Sequence, residues 1–360
     1  MTGTQTLTVD VRYPLERGRL ALRAEPDWDR DIEPVSADAA AGRFTFRLRS
    51  DKGFVYVKPV LHDDAGLHWA RGENSLCLAG GAAPAGADTI VHPFFFEEPG
   101  CTECDLATRE SRERGGERRF RVFLPAGYHE NSLRRFPVVF MQDGQNLFFP
   151  GEAHGGEHWR VRETIERLNA MSLVQPAIVV GVYPHDRMRD YSAPGYEAYG
   201  RFLAEELKPW IDRTYATRPA AEETAVVGSS LGGVVSFYLA WQWPEVFGMA
   251  GCLSSTFGWR DDLMARVESE PRRPVRFYLD SGWPGDNYEV TRGMRDRLVA
   301  RGWEAGRDLF YLAYPEARHD ERAWAGRLHV PFQFFFSGRG GSGDAAGAVC
   351  PERTTAAGAH

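Results

Sequence analysis

The sequence predicts a mixed α/β protein in which a mostly parallel sheet flanked by helices follows a small β-sandwich. Three observations carry this. From Arg118 to Phe336, strand-like and helix-like segments alternate, the pattern of a parallel sheet with helices on both faces. Inside that stretch, runs such as Ala177–Val182 are apolar without polar alternation, as strands buried on both faces require. Residues 1–100 instead hold short strands with apolar residues at every second position and no long helix between them.

In the first unit the clearest strands are 7–11, 20–23, 44–48 and 54–60, separated by turn-rich pieces such as Glu25–Asp29. This reads as an immunoglobulin-like or carbohydrate-binding-module-like sandwich over 1–100. Trp28 and Trp69 could form a glycan platform, but aromatic residues in a sandwich are more often core. The small-residue stretch 79–87 and the charged stretch 97–116 place the domain boundary, with 101–117 as a linker. Cys101 and Cys104 form a C-x-x-C with no second pair and read as linker thiols.

In the second unit, 118–337, strands are expected at 120–124, 138–141, 177–182, 224–227, 275–279 and 309–312. Helices are expected at 159–171, 196–215, 231–241 and 289–301. A last helix, 319–336, should be interrupted at Pro331. The Gly- and Ala-rich tail 338–360 lacks periodicity and is expected to be disordered.

Composition narrows the function classes. With 43% hydrophobic and 26% charged residues, the 360-residue chain is globular and needs no disulfide scaffold. A net charge of −7 argues against a general nucleic-acid surface. No apolar run approaches the length that spans a bilayer. The N-terminus has neither a basic region nor an apolar stretch, and five scattered cysteines fit a reducing compartment, so a cytoplasmic protein is expected. Nothing sets the oligomeric state. His154, Glu157 and His158 lack metal-site spacing, and no metal or other cofactor is expected.

The strongest local signal is Gly228-Ser229-Ser230-Leu231-Gly232, between an apolar strand and a helix. Such a G-x-S-x-G turn lifts the serine hydroxyl above the sheet, and its glycines let strand and helix approach closely. A serine needs a base, and the base needs an orienting acid. His319 follows a predicted strand and occupies a loop at its carboxyl end, where open α/β sheets place their sites. The acid should follow the preceding strand, where Asp280 and Asp286 both stand. Asp286 is favoured because a loop carries it further sideways. The oxyanion donors are expected to be the N–H of Leu231 and that of Gln145, in the loop Gln142-Asp143-Gly144-Gln145-Asn146.

Together with Arg121–Tyr128, Phe136–Phe148, Leu207–Tyr215 and Trp243–Gly248, these residues resemble the putative-esterase family of the α/β-hydrolase superfamily. That family includes enterochelin esterases, feruloyl esterases and S-formylglutathione hydrolases. The resemblance covers about 118–336, and residues 1–100 look like the sandwich that precedes the hydrolase domain in enterochelin esterases. It implies Ser230 as nucleophile, His319 as base and Asp286 as acid. In similar esterases an arginine–tyrosine pair lies near the site in the loop that here holds Arg189 and Tyr191. The family often has glycine before the histidine; here it is Arg318, which could contact an anionic substrate.

The implied function is a serine carboxylic-ester hydrolase acting on a small-molecule ester through an acyl-enzyme, with a siderophore ester as the leading substrate. A feruloyl or acetyl ester of a sugar and a small-acyl thioester are the alternatives. A ligand-binding protein on an inactive hydrolase fold is the alternative from another class.

Overall fold

The computed structural model describes residues 4–80, 88–97, 103–112 and 115–337. The expected disordered tail and Cys101 lie outside them, as does the Cys104 side chain.

The first unit holds β1 (Gln5–Arg12), β2 (Arg19–Ala24), β3 (Asp27–Ile32), β4 (Ser36–Asp38), β5 (Arg43–Ser50), β6 (Phe54–Asp63), β7 (Gly66–Trp69), β8 (Ser75–Leu78) and β9 (Thr89–Val91). One sheet runs β4-β5-β1-β9 and the other β3-β2-β6-β7, with β8 also on β6. Alternation does the sorting. In β5, Phe44, Phe46 and Leu48 turn inward to meet Leu7, Val9 and Val11 of β1, and Leu20, Leu22 and Val57 close the core from the other sheet. Two readings change here. The expected turn at Glu25–Asp29 ends early, because β3 begins at Asp27; its charges suit an edge strand. Trp28 and Trp69 are not core. Trp69 is exposed, Trp28 is half-buried, and their rings lie 6.5 Å apart at the surface.

The second unit is built on an eight-stranded sheet. Its strands are β10 (Glu103–Glu110), β11 (Glu117–Leu124), β12 (Val138–Met141), β13 (Ile178–Val182), β14 (Thr224–Ser229), β15 (Met249–Leu253), β16 (Arg276–Trp283) and β17 (Leu309–Pro315), in the order β10-β11-β13-β12-β14-β15-β16-β17. From β13 to β17 all neighbours are parallel; β10 and β11 are antiparallel. The segment 101–117 is therefore not only a linker: β10 is an edge strand of the sheet. Its charged sequence hid it, since edge strands use charge to discourage further pairing.

The helices are α1 (Val161–Ala170), α2 (Arg187–Asp190), α3 (Gly195–Arg201), α4 (Lys208–Thr214), α5 (Leu231–Gln242), α6 (Leu263–Ser269), α7 (Tyr288–Ala300), α8 (Glu321–Arg327) and α9 (His329–Phe336). A wider π-type turn over Phe202–Leu207 joins α3 to α4. Each sheet face packs its own layer. Val138, Phe140, Val180 and Val226 meet α3, α5 and α7, while Val139, Met141, Val179 and Val227 meet α1, α8 and α9. The last helix divides at Leu328, not at Pro331. Pro331 sits in the first turn of α9, where a missing N–H breaks no helical bond.

The sandwich docks through the loop that precedes β12. The half-buried Glu130 carboxylate accepts hydrogen bonds from the N–H groups of Phe95, Phe96 and Glu97 and from the Tyr13 hydroxyl, at 2.6–3.0 Å. Asn131 Nδ2 donates to the Arg12 and Pro93 carbonyls. These contacts lie at the N-terminal edge of the parallel strands. We expect Glu130→Ala to cost about 1–3 kcal/mol by leaving N–H donors unpaired. Hydrogen exchange should then rise at 95–97 while the catalytic sheet stays protected; unchanged exchange there would contradict this docking role.

Candidate active site

Close packing at the end of β14 dictates the backbone of Ser230. A Cβ on Gly228 would lie 2.4 Å from the Gly232 carbonyl oxygen, and one on Gly233 would lie 2.0 Å from Ser255 Oγ. Strand and helix can meet this closely only without those side chains. Ser230 bridges them with φ 56° and ψ −122°, a conformation that costs about 1–3 kcal/mol for a residue with a side chain. The surroundings hold it there. Ser230 N–H donates to the Leu253 carbonyl at 2.9 Å, and its own carbonyl accepts from Gly233 and Val234. Ser230 is 9% exposed, so the turn delivers a hydroxyl to the C-terminal edge of the sheet from an otherwise buried position.

The loop after β12 abuts this turn. A Cβ on Gly232 would lie 3.2 Å from Gln142 Cβ and 3.3 Å from Asp143 Oδ2. Gly144 can carry no side chain, because a Cβ would lie 2.5 Å from the Gly181 carbonyl oxygen. Asp143 adopts φ 54°, and a one-turn 3-10 helix follows over Gly144–Asn146. Among the described residues, neither Leu231 N–H nor Gln145 N–H has a backbone acceptor. Both donors therefore stand on segments that pack together beside Ser230.

Arg187, which the sequence did not single out, and Tyr191 fix this loop. Arg187 Nε lies 3.0 Å from Asp143 Oδ1 and 3.1 Å from Oδ2, and Arg187 Nη2 reaches the Ser229 carbonyl at 3.5 Å. One guanidinium thus ties the loop to the end of β14. Its face lies over the Tyr191 ring, 5.5 Å from the centroid. Tyr191 is wholly buried, and its hydroxyl accepts from Asp143 N–H at 2.9 Å. Tyr191 therefore orders the loop and is not positioned to touch a substrate. Its arginine partner is Arg187, one helical turn away, rather than Arg189. Arg189 is exposed and lines an open surface cavity with Met188 and Arg260. Arg318 is also exposed.

Asp286 and His319 meet across the ends of β16 and β17, with Asp286 Oδ1 and His319 Nδ1 2.6 Å apart. The acid is 2% exposed and the imidazole 39%. Asp286 Oδ2 accepts from Ser254 Oγ at 2.6 Å and from Gly282 N–H at 2.7 Å. Burial alone would raise this carboxyl, but the bonds from His319, Ser254 and Gly282 outweigh it and hold its pKa below the usual range. Trp324 braces the pair. Its ring stands edge-on to His319, 5.0 Å between centroids, and its Nε1–H donates to Ser254 Oγ at 3.0 Å.

Asp280, the other acid considered, faces elsewhere. It is fully buried, with Arg327 Nε 3.1 Å from Oδ1 and the Tyr278 hydroxyl donating to Oδ2 at 2.8 Å. Burial pushes its carboxyl up to about 6, against the pull of Arg327 and Tyr278. Arg327 also donates to Ser254 Oγ and lies 3.4 Å from Asp286 Oδ2. Ser254 Oγ thus accepts from Trp324 and Arg327 and gives its single proton to Asp286. Arg327 was legible only as a lone charge at an apolar helical position, between Trp324 and Leu328.

A family profile described as "Putative esterase" matches residues 111–335. The chain belongs to that family. Carboxylic ester hydrolysis is accordingly its activity class. An uncharacterized protein of Bacillus subtilis, YjcH, is 32% identical over 188 residues, 51% of this esterase and 74% of that protein. Ferric enterobactin esterase from Salmonella typhimurium superposes with a TM-score of 0.56 at 16% identity, covering 92% of this chain and 94% of that one. The ferulic acid esterase AmCE1/Fae1A from Anaeromyces mucronatus gives 0.53 at 20% identity, covering 65% and 90%. Both likenesses are of the α/β-hydrolase fold. Among the described residues, no helix of this esterase is long and apolar enough to cross a membrane.

The two acids should separate in experiment. Asp286→Asn should lower kcat by about 10⁴-fold by fixing the wrong imidazole tautomer. Asp280→Asn should cost far less in rate and should change pH-dependent stability instead. Because its folded pKa lies above the unfolded one, the Asp280 contribution is full below the unfolded pKa and is lost as pH rises through about 6. Chemical denaturation from pH 4 to pH 7 should show that slope vanish in Asp280→Asn. Arg187→Met should lower kcat by up to about 10²-fold as the loop after β12 loosens.

Proposed function

We propose that this chain is a serine esterase working through an acyl-enzyme. Ser230 Oγ attacks the ester carbonyl while His319 Nε2 takes its proton. Asp286 keeps the other ring nitrogen protonated and stabilises the imidazolium. The N–H groups of Leu231 and Gln145 receive the developing oxyanion. His319 returns its proton to the leaving alkoxide, then activates water to release the acid. The observation that carries this reading is the 2.6 Å Asp286–His319 contact at the same sheet edge as the strained Ser230 turn. An inactive binding protein would have no need to keep either.

For substrate, the reading is a siderophore-type ester, a catecholate trilactone, hydrolysed in the cytoplasm. Its support is the 92% of this chain, sandwich included, that superposes on a ferric enterobactin esterase. Arg189 and Arg260 on the open surface cavity at α2 and α3 suit an anionic iron complex. A feruloyl-type ester is the second reading, favoured by the catalytic-domain superposition on AmCE1/Fae1A.

Hydrolysis of p-nitrophenyl acetate, butyrate and octanoate beside a ferric catecholate trilactone tests both levels. Ser230→Ala should lose turnover by several orders of magnitude on every ester that the wild type cleaves. It should also escape covalent labelling by a fluorophosphonate. Undiminished turnover in that variant would refute the nucleophile. Wild-type turnover confined to short aryl esters would discard the siderophore reading.

A further inference from the structure

The seam between sandwich and catalytic domain holds a half-open cavity of about 330 Å³. It lies at the N-terminal edge of the parallel strands, the opposite edge from Ser230. One end of it gathers positive charge. Asn131 Nδ2 draws in the carbonyls of Arg12, at 2.9 Å, and of Pro93, at 2.7 Å, which brings Arg12 and His92 beside Arg134. The Arg134 guanidinium lies over the Phe136 ring, 5.1 Å from its centroid, and Arg218 N–H donates to the Phe136 carbonyl at 2.7 Å. Three arginines and a histidine thus lie near one another, and His92 and Arg134 of these line the cavity.

Nearby carboxylates are already engaged, and Arg218 holds one of them. Glu130 is taken by three N–H groups and the Tyr13 hydroxyl. Glu223 lies 3.3 Å from Arg218. Arg134 makes no ion pair among the described residues. The Nε atoms of Arg12 and Arg218 are buried with no hydrogen-bond partner. Burial and the Arg218 charge bring Arg134 down to about 10. Burial, with Arg134, Arg12 and Arg218 nearby, holds His92 down to about 3 and hence neutral. Arg134 is half-buried, and a partly desolvated cation among other cations gains from a neighbouring anion.

His92, Arg134 and Gln175 face this cavity together with Phe94, Phe123 and Val174. Elsewhere on the wall Lys58 donates to the Gly72 carbonyl, Arg71 donates to the Phe95 carbonyl, and Glu73 and Glu166 add negative charge, so the cationic end is at Arg134. A volume near the small end of ligand pockets, with apolar walls and one cationic end, matches a compact amphiphile better than an inorganic ion. We propose that this interdomain cavity is a second binding site, for a small aromatic carboxylate, with Arg134 as its anion anchor.

Calorimetric titration of the full chain with sodium benzoate, and separately with sodium phosphate, tests this at constant ionic strength. Benzoate should bind saturably at one site, and more tightly than phosphate. Arg134→Met should weaken benzoate by about 30-fold or more, as loss of one partner of a buried charge contact does. That variant removes an uncompensated charge, so its Tm without ligand should be unchanged or higher, which separates lost binding from lost folding. In NMR, bound benzoate should move the His92 ring titration to higher pH. Absence of saturable benzoate binding would overturn the proposal, and so would phosphate binding as tightly. Benzoate binding that persists in Arg134→Met and disappears after fluorophosphonate labelling would place the ligand in the catalytic pocket and also overturn it.

Discussion

The Gly232 carbonyl oxygen occupies the space that any side chain on Gly228 would need. The rest of the catalytic edge depends on that contact. It lets α5 start directly above β14, and it forces the single residue between them to reverse direction at positive φ. The bare backbone of Gly232 then leaves a surface against which Gln142 and Asp143 can pack. The proposed nucleophile and oxyanion donors are thus brought together by the absence of side chains at Gly228 and Gly232, not by an attractive contact. Hydrogen bonds and one arginine then lock what sterics permits.

A second constraint lies below the acid. Asp280, Asp286, Ser254 and Arg327 form a buried polar cluster in which Arg327 touches both carboxylates. One cation between two buried acids gives them different characters. Asp286, with hydrogen bonds from His319, Ser254 and Gly282 N–H, is held ionised. Asp280, fully desolvated, is raised. An acid that must stabilise an imidazolium has to be the first kind, and the environment rather than the residue type makes it so. The cluster also couples the layers, since Arg327 and Trp324 come from α8 and Ser254 follows β15.

Much of this was readable in advance, because it rests on local sequence. The elbow needs glycine, serine and glycine within five positions, and a strand and a helix on either side. That Asp286 rather than Asp280 meets His319 followed from reach. What stayed hidden has physical causes. β10 and β3 are edge strands whose charge imitates a linker and a turn. Arg187 and Arg189 lie in one charged loop, and only the packing of that loop shows which guanidinium meets Asp143. Arg327 lies far along the chain from both acids it touches, and no local pattern marks such a contact.

The sequence by itself determined the α/β class, the sandwich before it, and the glycine-flanked serine turn between strand and helix. Each of those is encoded within a few neighbouring residues, by periodicity, by glycine or by position after a strand. The tertiary structure decided everything that needs two distant segments to meet. It turned Tyr191 inward as a strut, gave Arg187 its loop, and set Arg327 beneath the acid. It also seated the sandwich on the edge opposite Ser230. Those outcomes depend on which faces pack together, and packing is a property of the assembled chain rather than of any stretch of it.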